Sequence, residues 1–292
     1  MELTVVILTR DEAHHVGRAI ASVRSIAERV VVVDSGSTDG TAEVARRAGA
    51  EVLTRAWRGH ADQMNWALGA VEGRWIMRLD ADEVVSRALA QKIACALPAA
   101  GPEVAGFTVG RRMAFMGRPI RHGGLFPART LRILRAGRGR CEARLMDEHL
   151  IAEGPVRHLA GEILDDDRGG LSRWTAKHND YASREVADML TAGYRRDGLD
   201  EDAAKRRRLR ALYARCPAGA RALAYFLWRY VARLGFLDGR EGLAFHVLQG
   251  FWYRFLVDAK LREVRLHMAR TGADARQALR DVLGVELPEA AR

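Results

Sequence analysis

The sequence predicts an α/β protein in which a mostly parallel sheet carries helices on both faces and is followed by a helical carboxyl-terminal extension. Three observations support this. Short β-branched runs alternate with segments of helical period through residues 3–79, the pattern of a sheet whose crossovers are helices. Polar residues gather just after the strands, at the rim where open α/β sheets bind ligands. From about Leu171 onward the apolar spacing is helical only.

In order, "LTVVIL" at 3–8 suits a buried parallel strand, and "AHHVGRAIASVRSI" places Val16, Ile20 and Val23 at helical spacing. A second strand, "RVVVVD" at 29–34, meets the small-residue loop "SGSTDGT" and a helix from about Ala42 to Ala48. The strand "AEVLTR" follows, then a helix over "ADQMNWALGAV", then the strand "RWIMRL" at 74–79. Beyond Pro98, "GPEVAGFTVGRRMAF" and "RTLRILRAG" read as strands around the glycine-rich loop "MGRPIRHGGLFPA". Helices are expected near 171–193, 200–214, 219–235 and 239–269, with the boundary at Gly169-Gly170. The expected domains are therefore 1–169 and 170–292.

With 292 residues and 48% hydrophobic composition the chain is long enough for a sizeable core. Its three cysteines, Cys95, Cys141 and Cys216, show no CxxC spacing, so a reducing cytoplasm is expected. No basic, apolar, small-residue succession marks a signal peptide at the amino terminus, and no apolar run reaches the length of a spanning helix. Net charge is +10, with +8 of it in residues 195–292. The 43 arginines against four lysines accompany abundant Ala and Gly and fit a base-composition bias.

The stretch "RWIMRLDADEVV" ends an apolar strand in three acids within four positions, where like charges repel. Asp80 and Asp82 are hard oxygen donors suited to Mg²⁺ or Mn²⁺, and a divalent ion would offset their repulsion. The alternative is a solvated turn whose acids open a helix. In "VVVVDSGSTDGT" two glycines and four hydroxyl residues follow Asp34, a loop suited to close backbone approach by a ligand and also to capping by Asp39 or Thr41. No GK[ST] and no G-x-G-x-x-G occurs here, which sets aside P-loop and dinucleotide chemistry.

Together, "VVILTRDEAHHVGRAIASV", "VVVDSGSTDGTAEVARRAGAEVL", "WRGHADQMNWAL" and "WIMRLDADEVV" resemble family 2 glycosyltransferases of the GT-A (Rossmann-like) fold, in order and spacing. The resemblance runs on through "GRPIRHGGLFPARTLRILRAGRGR", "MDEHL" and "GFLDGREGLAFHVLQGFWYRFL", and points to the branch holding lipopolysaccharide-core β-glucosyltransferases. It implies that Thr9, Arg10 and Glu12 form the first nucleotide-binding segment, and that Asp34, with Ser35 and Gly36, lies at the base. Gln63 and Asn65 would line the nucleotide-sugar cleft, Asp80 and Ala81 would lie near the ribose or metal, and Asp82 would hold the metal on the diphosphate. Glu148 would be the base. The family often has His before that Glu, whereas here Asp147 precedes it and His149 follows, which leaves Asp147 as a second candidate. Near residue 165 the family's His is replaced by "LDDDRGG", with Asp165 or Asp166 in its place.

The implied activity is metal-dependent, inverting transfer of a hexose, glucose from UDP-glucose, to a lipopolysaccharide-core or related surface glycan. Alternatives are the same chemistry on polyprenyl phosphate or a protein side chain, and a non-catalytic nucleotide-sugar-binding module. His122 and Arg132 are lesser candidates, for acceptor or diphosphate, beside structural readings. Trp57, Trp66 and Trp75 are expected to pack the domain.

The helical last third mixes aromatics with arginines, as in "RALAYFLWRYVARLGFLDGREGLAFHVLQGFWYRFL". Such helices either lie in an anionic headgroup layer or pack on protein. A peripheral contact with the cytoplasmic face of the inner membrane suits a lipid-linked acceptor. Nucleic acid is not an expected partner, because the basic residues are interleaved with large apolar ones.

Overall fold

The structure, a computed structural model, describes residues 2–126, 128–142, 148–191 and 218–287. Asp147, Cys216 and the helix expected over 200–214 lie outside the described residues. The chain divides into two compact units, residues 1–121 with 125–170, and residues 122–124 with 171–292.

In the first unit the elements run β1 (Leu3–Thr9), α1 (Val16–Val23), β2 (Arg29–Asp34), α2 (Thr41–Arg47), β3 (Glu51–Thr54), α3 (His60–Ala70), β4 (Trp75–Asp80), β5 (Glu83–Val85) and α4 (Arg87–Ala99). Then follow β6 (Gly106–Phe115), β7 (Arg118–Pro119), β8 (Ala128–Arg135), β9 (Gly139–Cys141), β10 (Leu150–Ala152) and β11 (Val156–Asp165). The large sheet has the order β3-β2-β1-β4-β8-β6-β11-β5, with β7 on β6. Strands β3, β2, β1 and β4 are mutually parallel, as expected of strands joined through helices. Antiparallel β8 then joins β4 to β6, and β11 runs parallel to β6. This is the α/β class that the sequence predicts, with β9 and β10 as a separate two-stranded ribbon.

Burial follows the period of two along β1. Leu3, Val5 and Ile7 face α1 and α4, where Val16, Ile20 and Val23 meet them, while Val6 joins Val31 and Val33 against Met64 and Ala67 of α3. Each fully buried aliphatic side chain contributes about 1.5–3 kcal/mol. Helix α4 starts at Ser86, whose hydroxyl accepts from the Leu89 N–H at 3.2 Å. It packs on the bulge of β11, where Gly161 has φ +125° and a Cβ would lie 2.9 Å from the Leu89 backbone; only glycine fits there.

The second unit holds α5 (Gly170–Thr191), α6 (Ala218–Leu227), a π-helical turn at Trp228–Ala232, a 3-10 turn at Gly235–Asp238, and a continuous helical run. That run comprises α7 (Gly239–Phe245), a π-helical stretch at His246–Trp252, and α8 (Tyr253–Thr271); α9 (Ala275–Leu283) follows. Trp174 stacks on His178 with centroids 3.5 Å apart, and the Tyr253 hydroxyl donates to Glu185 at 2.6 Å. Asp238 accepts from the His122 N–H at 2.9 Å and pairs with His122 Nδ1 at 2.8 Å. Among the described residues no helix is long and apolar enough to cross a membrane.

Candidate active site at the ends of the parallel strands

Strand register brings the candidate residues to one rim. Thr9 is level with Asp34, and Leu8 with Asp80, so the ends of β1, β2 and β4 coincide. Asp34 is buried and makes four hydrogen bonds. Its Oδ2 accepts from the Thr9 hydroxyl at 3.0 Å and from the Ser37 hydroxyl; its Oδ1 accepts from the N–H groups of Gly36 at 3.1 Å and Ser37 at 2.9 Å. That uses the acceptor capacity of a carboxylate.

The loop after β1 is stitched to the loop after β2. Ser37 Oγ accepts from the Asp11 N–H at 2.8 Å, Thr41 Oγ1 from Glu12 at 2.7 Å, and Asp39 Oδ2 from Ala13 at 3.0 Å. In return Asp11 Oδ1 accepts from the Thr38 N–H at 2.8 Å. Asp11 takes the left-handed conformation, φ 55°, which Asp tolerates better than most residues. Burial works to raise the Asp39 pKa, yet the hydrogen bonds from Thr41 and Ala13 hold it below the ordinary value. The small-residue loop was expected to offer backbone N–H groups to a ligand, but those of Gly36, Ser37, Thr38 and Thr41 are committed to Asp34, Asp11 and Asp39. Short side chains of the same loop, and for Thr38 that of Asp11 in the neighbouring loop, satisfy these donors at a half-buried turn.

The remaining nucleotide candidates divide. Arg10 and Gly36 are exposed, and Glu12 is half-buried with His15 Nδ1 2.6 Å from its carboxylate. His15 Nε2 accepts from the Arg168 N–H at 3.0 Å, so the ring proton sits on Nδ1 and is donated to Glu12. Gln63 is buried and links Ser35 Oγ, at 3.2 Å, to Arg55. Asn65 clamps Cys141, donating to its carbonyl at 2.9 Å and accepting from its N–H at 2.7 Å.

Around Asp80 lies a corner of alternating charge. Arg78, two residues earlier on the same strand face, donates to Asp80 Oδ1 at 3.1 Å, and Arg132 of β8 lies 3.3 Å from Oδ2. Burial opposes ionisation of Asp80, but Arg78, Arg132 and Arg111 together hold its pKa well below the ordinary value. Glu83 is fully buried. It pairs with Arg132, lies 3.2 Å from Arg111, and accepts from the Asp80 N–H at 3.0 Å. Burial, reinforced by Asp80 and Asp165, pushes its pKa up against the pull of the arginines. Arg132 is thus a buried partner of this corner. Ala81 is buried between the two aspartates.

Asp82 is half-buried at the strand end, and its carbonyl accepts from the Asp166 N–H at 3.0 Å. Asp165 pairs with Arg111, and Asp166 lies 2.8 Å from Arg18 and 2.7 Å from Arg168. Both thus face arginines. At the start of α3, burial together with Arg78 and Arg132 pushes the His60 pKa down to about 4. Its Nδ1 has no hydrogen-bond partner among the described residues. Glu148 is half-buried, and its carbonyl accepts from Arg78 Nη1 at 3.1 Å. The Glu142 N–H donates to the His149 carbonyl at 2.9 Å.

Among the described residues no group of three or more His, Cys, Asp or Glu side chains could hold a metal ion. Magnesium sites that bind phosphates commonly use one or two carboxylates, the rest of the shell being phosphate and water. Asp82 fits that smaller donor set as a single carboxylate, since both oxygens of Asp80 are already held by Arg78 and Arg132.

Sequence reasoning passed over Arg78, Glu83, Arg111 and His60. The i, i+2 spacing of Arg78 and Asp80 on a strand was a usable signal for the first. Arg111 reaches the corner through strand pairing that no local pattern encodes. Of the three tryptophans expected to pack, only Trp75 does, against Phe107. Trp57 is 42% exposed and Trp66 37% exposed, with the Arg55 guanidinium 5.1 Å above the Trp66 ring.

Residues 4–139 match the Glycosyl transferase family 2 profile. The chain is 30% identical over 285 residues to the lipopolysaccharide core biosynthesis glycosyltransferase LpsC of Rhizobium meliloti, covering 94% of this chain and 97% of that one. An uncharacterized glycosyltransferase of Rickettsia felis is 39% identical over 92 residues, 32% of either chain. Among solved structures the chain is similar to mannosyltransferase PcManGT from Pyrobaculum calidifontis in complex with GDP-Man and Mn²⁺, with a TM-score of 0.48, 18% identity, and coverage of 89% and 86%. The chain belongs to glycosyl transferase family 2 and is a glycosyltransferase homologous to a lipopolysaccharide core enzyme.

Proposed function

We propose that this glycosyltransferase moves a hexose, glucose from UDP-glucose, onto a lipopolysaccharide-core or related surface glycan with inversion at the anomeric carbon. The observation that carries the reading is the convergence of the Asp34 loop, the Asp80–Asp82 pair and Glu148 at one rim of the sheet, joined by Arg78, which holds both Asp80 and the Glu148 carbonyl. The acceptor class is drawn from the similarity to LpsC along nearly the whole chain.

In this reading residues 1–169 bind the donor and carry the chemistry, and residues 170–292 serve the acceptor and its membrane. Thr9, Arg10, Glu12, Ser35 and Gly36 border the nucleotide site, with Asp34 shaping the loop, while Gln63 and Asn65 brace its wall. Asp82, with Asp80 and Ala81 behind it, would hold Mg²⁺ or Mn²⁺. The bound ion would neutralise charge growing on the departing diphosphate, which lowers the barrier more than it tightens ground-state binding. Glu148 removes the proton from the acceptor hydroxyl as that oxygen attacks the sugar from the face opposite the nucleotide. His60, kept neutral, supplies an uncharged ring nitrogen beside Asp80. A lipid-borne acceptor places the work at the cytoplasmic face of the inner membrane, reached peripherally.

The test is UDP release from a panel of nucleotide sugars, with and without Mn²⁺, together with two variants. Asp82→Asn should abolish metal-dependent UDP binding by calorimetry as well as turnover. Glu148→Gln should keep UDP binding and lower turnover by about 10²–10⁴-fold. Metal-independent UDP binding by the parent protein, or full turnover in Glu148→Gln, would remove the corresponding assignment.

A further inference from the structure

We propose that the turn at residues 227–237 of the second unit is a docking face for an anionic phospholipid bilayer. Of the 17 exposed large hydrophobic residues among those described, ten lie within 223–255 and six within 227–237. Soluble proteins normally scatter such residues singly, and a contiguous cluster marks an interaction surface.

The turn has its amphipathic sense reversed. Within and beside the π-helical turn, Leu227, Trp228 and Val231 are 46%, 48% and 55% exposed, while Arg229 between them is 0% exposed. The Arg229 guanidinium lies 5.5 Å from the Tyr225 ring centroid and 5.4 Å from that of Phe245. Leu234, Phe236 and Leu237 continue the apolar face, each close to half exposed. A helix turned polar-in and apolar-out gains nothing from water but matches a surface with an apolar interior.

Charge selects the occupant. Residues 218–237 hold no acidic residue and three arginines, of which Arg221 is paired with Asp258, Arg229 is buried and Arg233 is exposed. The next acid, Asp238, is buried and bound to His122. Exposed Arg233, 5.6 Å from the Trp228 ring centroid, borders the apolar face, and exposed Arg240 follows Leu237 by three residues, with half-buried Glu241 after it. Arginine beside tryptophan is the pairing of a headgroup layer, where the cation meets lipid phosphate and the ring sits just below. A second copy of the chain fits less well, because a two-fold contact through this face would bring the cations of both copies into one interface while residues 218–237 offer no acid to meet them. Since no described helix can span, the contact lies on the membrane surface.

The test uses the full chain without donor or acceptor, so it stands apart from the proposed transfer reaction. The protein should co-sediment with phosphatidylcholine–phosphatidylglycerol vesicles, much less with phosphatidylcholine alone, and less as salt rises. Trp228→Ser with Leu237→Ser should weaken this by about tenfold or more. Arg233→Glu with Arg240→Glu should reduce the preference for anionic vesicles by at least about fivefold per charge. Quenching of tryptophan fluorescence by brominated phospholipid checks the same contact in the unaltered protein. The proposal is overturned if the parent binds neither vesicle, if no quenching occurs, or if the serine variant binds as well as the parent. It is equally overturned if light scattering shows a dimer that the serine variant dissociates while vesicle binding is unchanged.

Discussion

Two buried arginines, one in each unit, are held in opposite ways. Arg132, at the rim of the sheet, faces Glu83 and Asp80, and the whole corner alternates in sign through Arg78, Arg111 and Asp165. Arg229, in the helical unit, pairs with the amide of Gln249 and the faces of Tyr225 and Phe245, and its Nε and Nη2 have no hydrogen-bond partner among the described residues. At the rim, burial is compensated charge by charge, which fixes those side chains in place. Among the helices the cation is wrapped in aromatic surface, and its burial leaves the apolar neighbours facing out.

The largest effect that would break this comparison is expected from Arg132→Met. It takes from buried Glu83 its nearer arginine partner and leaves only Arg111, at 3.2 Å, a loss of about 3 kcal/mol of stability by urea denaturation. Equal stability of parent and variant would mean that the corner is not an interdependent network. A protonated Glu83, whose pKa is already raised, would soften the loss.

The next effect is pH dependence. His60 in the first unit and His246 in the second are both pushed down to about 4, mainly by burial and then by arginines beside them. A depressed histidine is neutral when folded but takes up a proton when unfolded below about pH 6.5. Stability is therefore present above pH 6.5 and falls as pH drops towards 4, by up to about 3 kcal/mol for each residue. Urea midpoints at pH 7 and pH 5 should differ, and His246→Phe should remove its share of the slope. Below pH 4 the slope belongs to carboxylates such as Asp80 and Asp166, which are held ionised by arginines.

A smaller effect is expected from Asn65→Ala. The clamp on Cys141 is lost, and Cys141 is paired with Leu150, two residues beyond Glu148. Turnover should fall about tenfold, with a smaller rise in donor KM, the mark of a misplaced group beyond any loosening of the nucleotide wall. The smallest effect is expected from Arg229→Met, which removes a cation with no paired acid. Its cost should stay within about 1 kcal/mol, and a loss as large as that of Arg132→Met would erase the distinction between the two sites.

What was legible in the sequence follows from what is local. β1, β2 and β4 announce themselves as apolar runs, and each ends in the polar residue that reaches the rim, because a strand's end and its loop are adjacent in sequence. Glu83 was not legible: an acid after two aspartates looks solvated, yet it begins a short strand against β11 and is wholly buried. The arginines that neutralise it come from β6 and β8, elements brought in by antiparallel pairing more than 20 residues on. In the helical unit α5, α6 and the run from α7 to α8 were readable from their period, but α9 was not, nor were the π-helical turns that send Arg229 and His246 inward, since one extra residue per turn changes no composition.

The stitching of the first two loops has a kinetic consequence. The amides of Asp11, Glu12, Ala13 and Thr38 are already bonded to side chains across the gap. Their protons should exchange slowly with deuterated water before any nucleotide arrives, and little more slowly afterwards. A donor would thus meet a wall whose shape was completed when the chain folded.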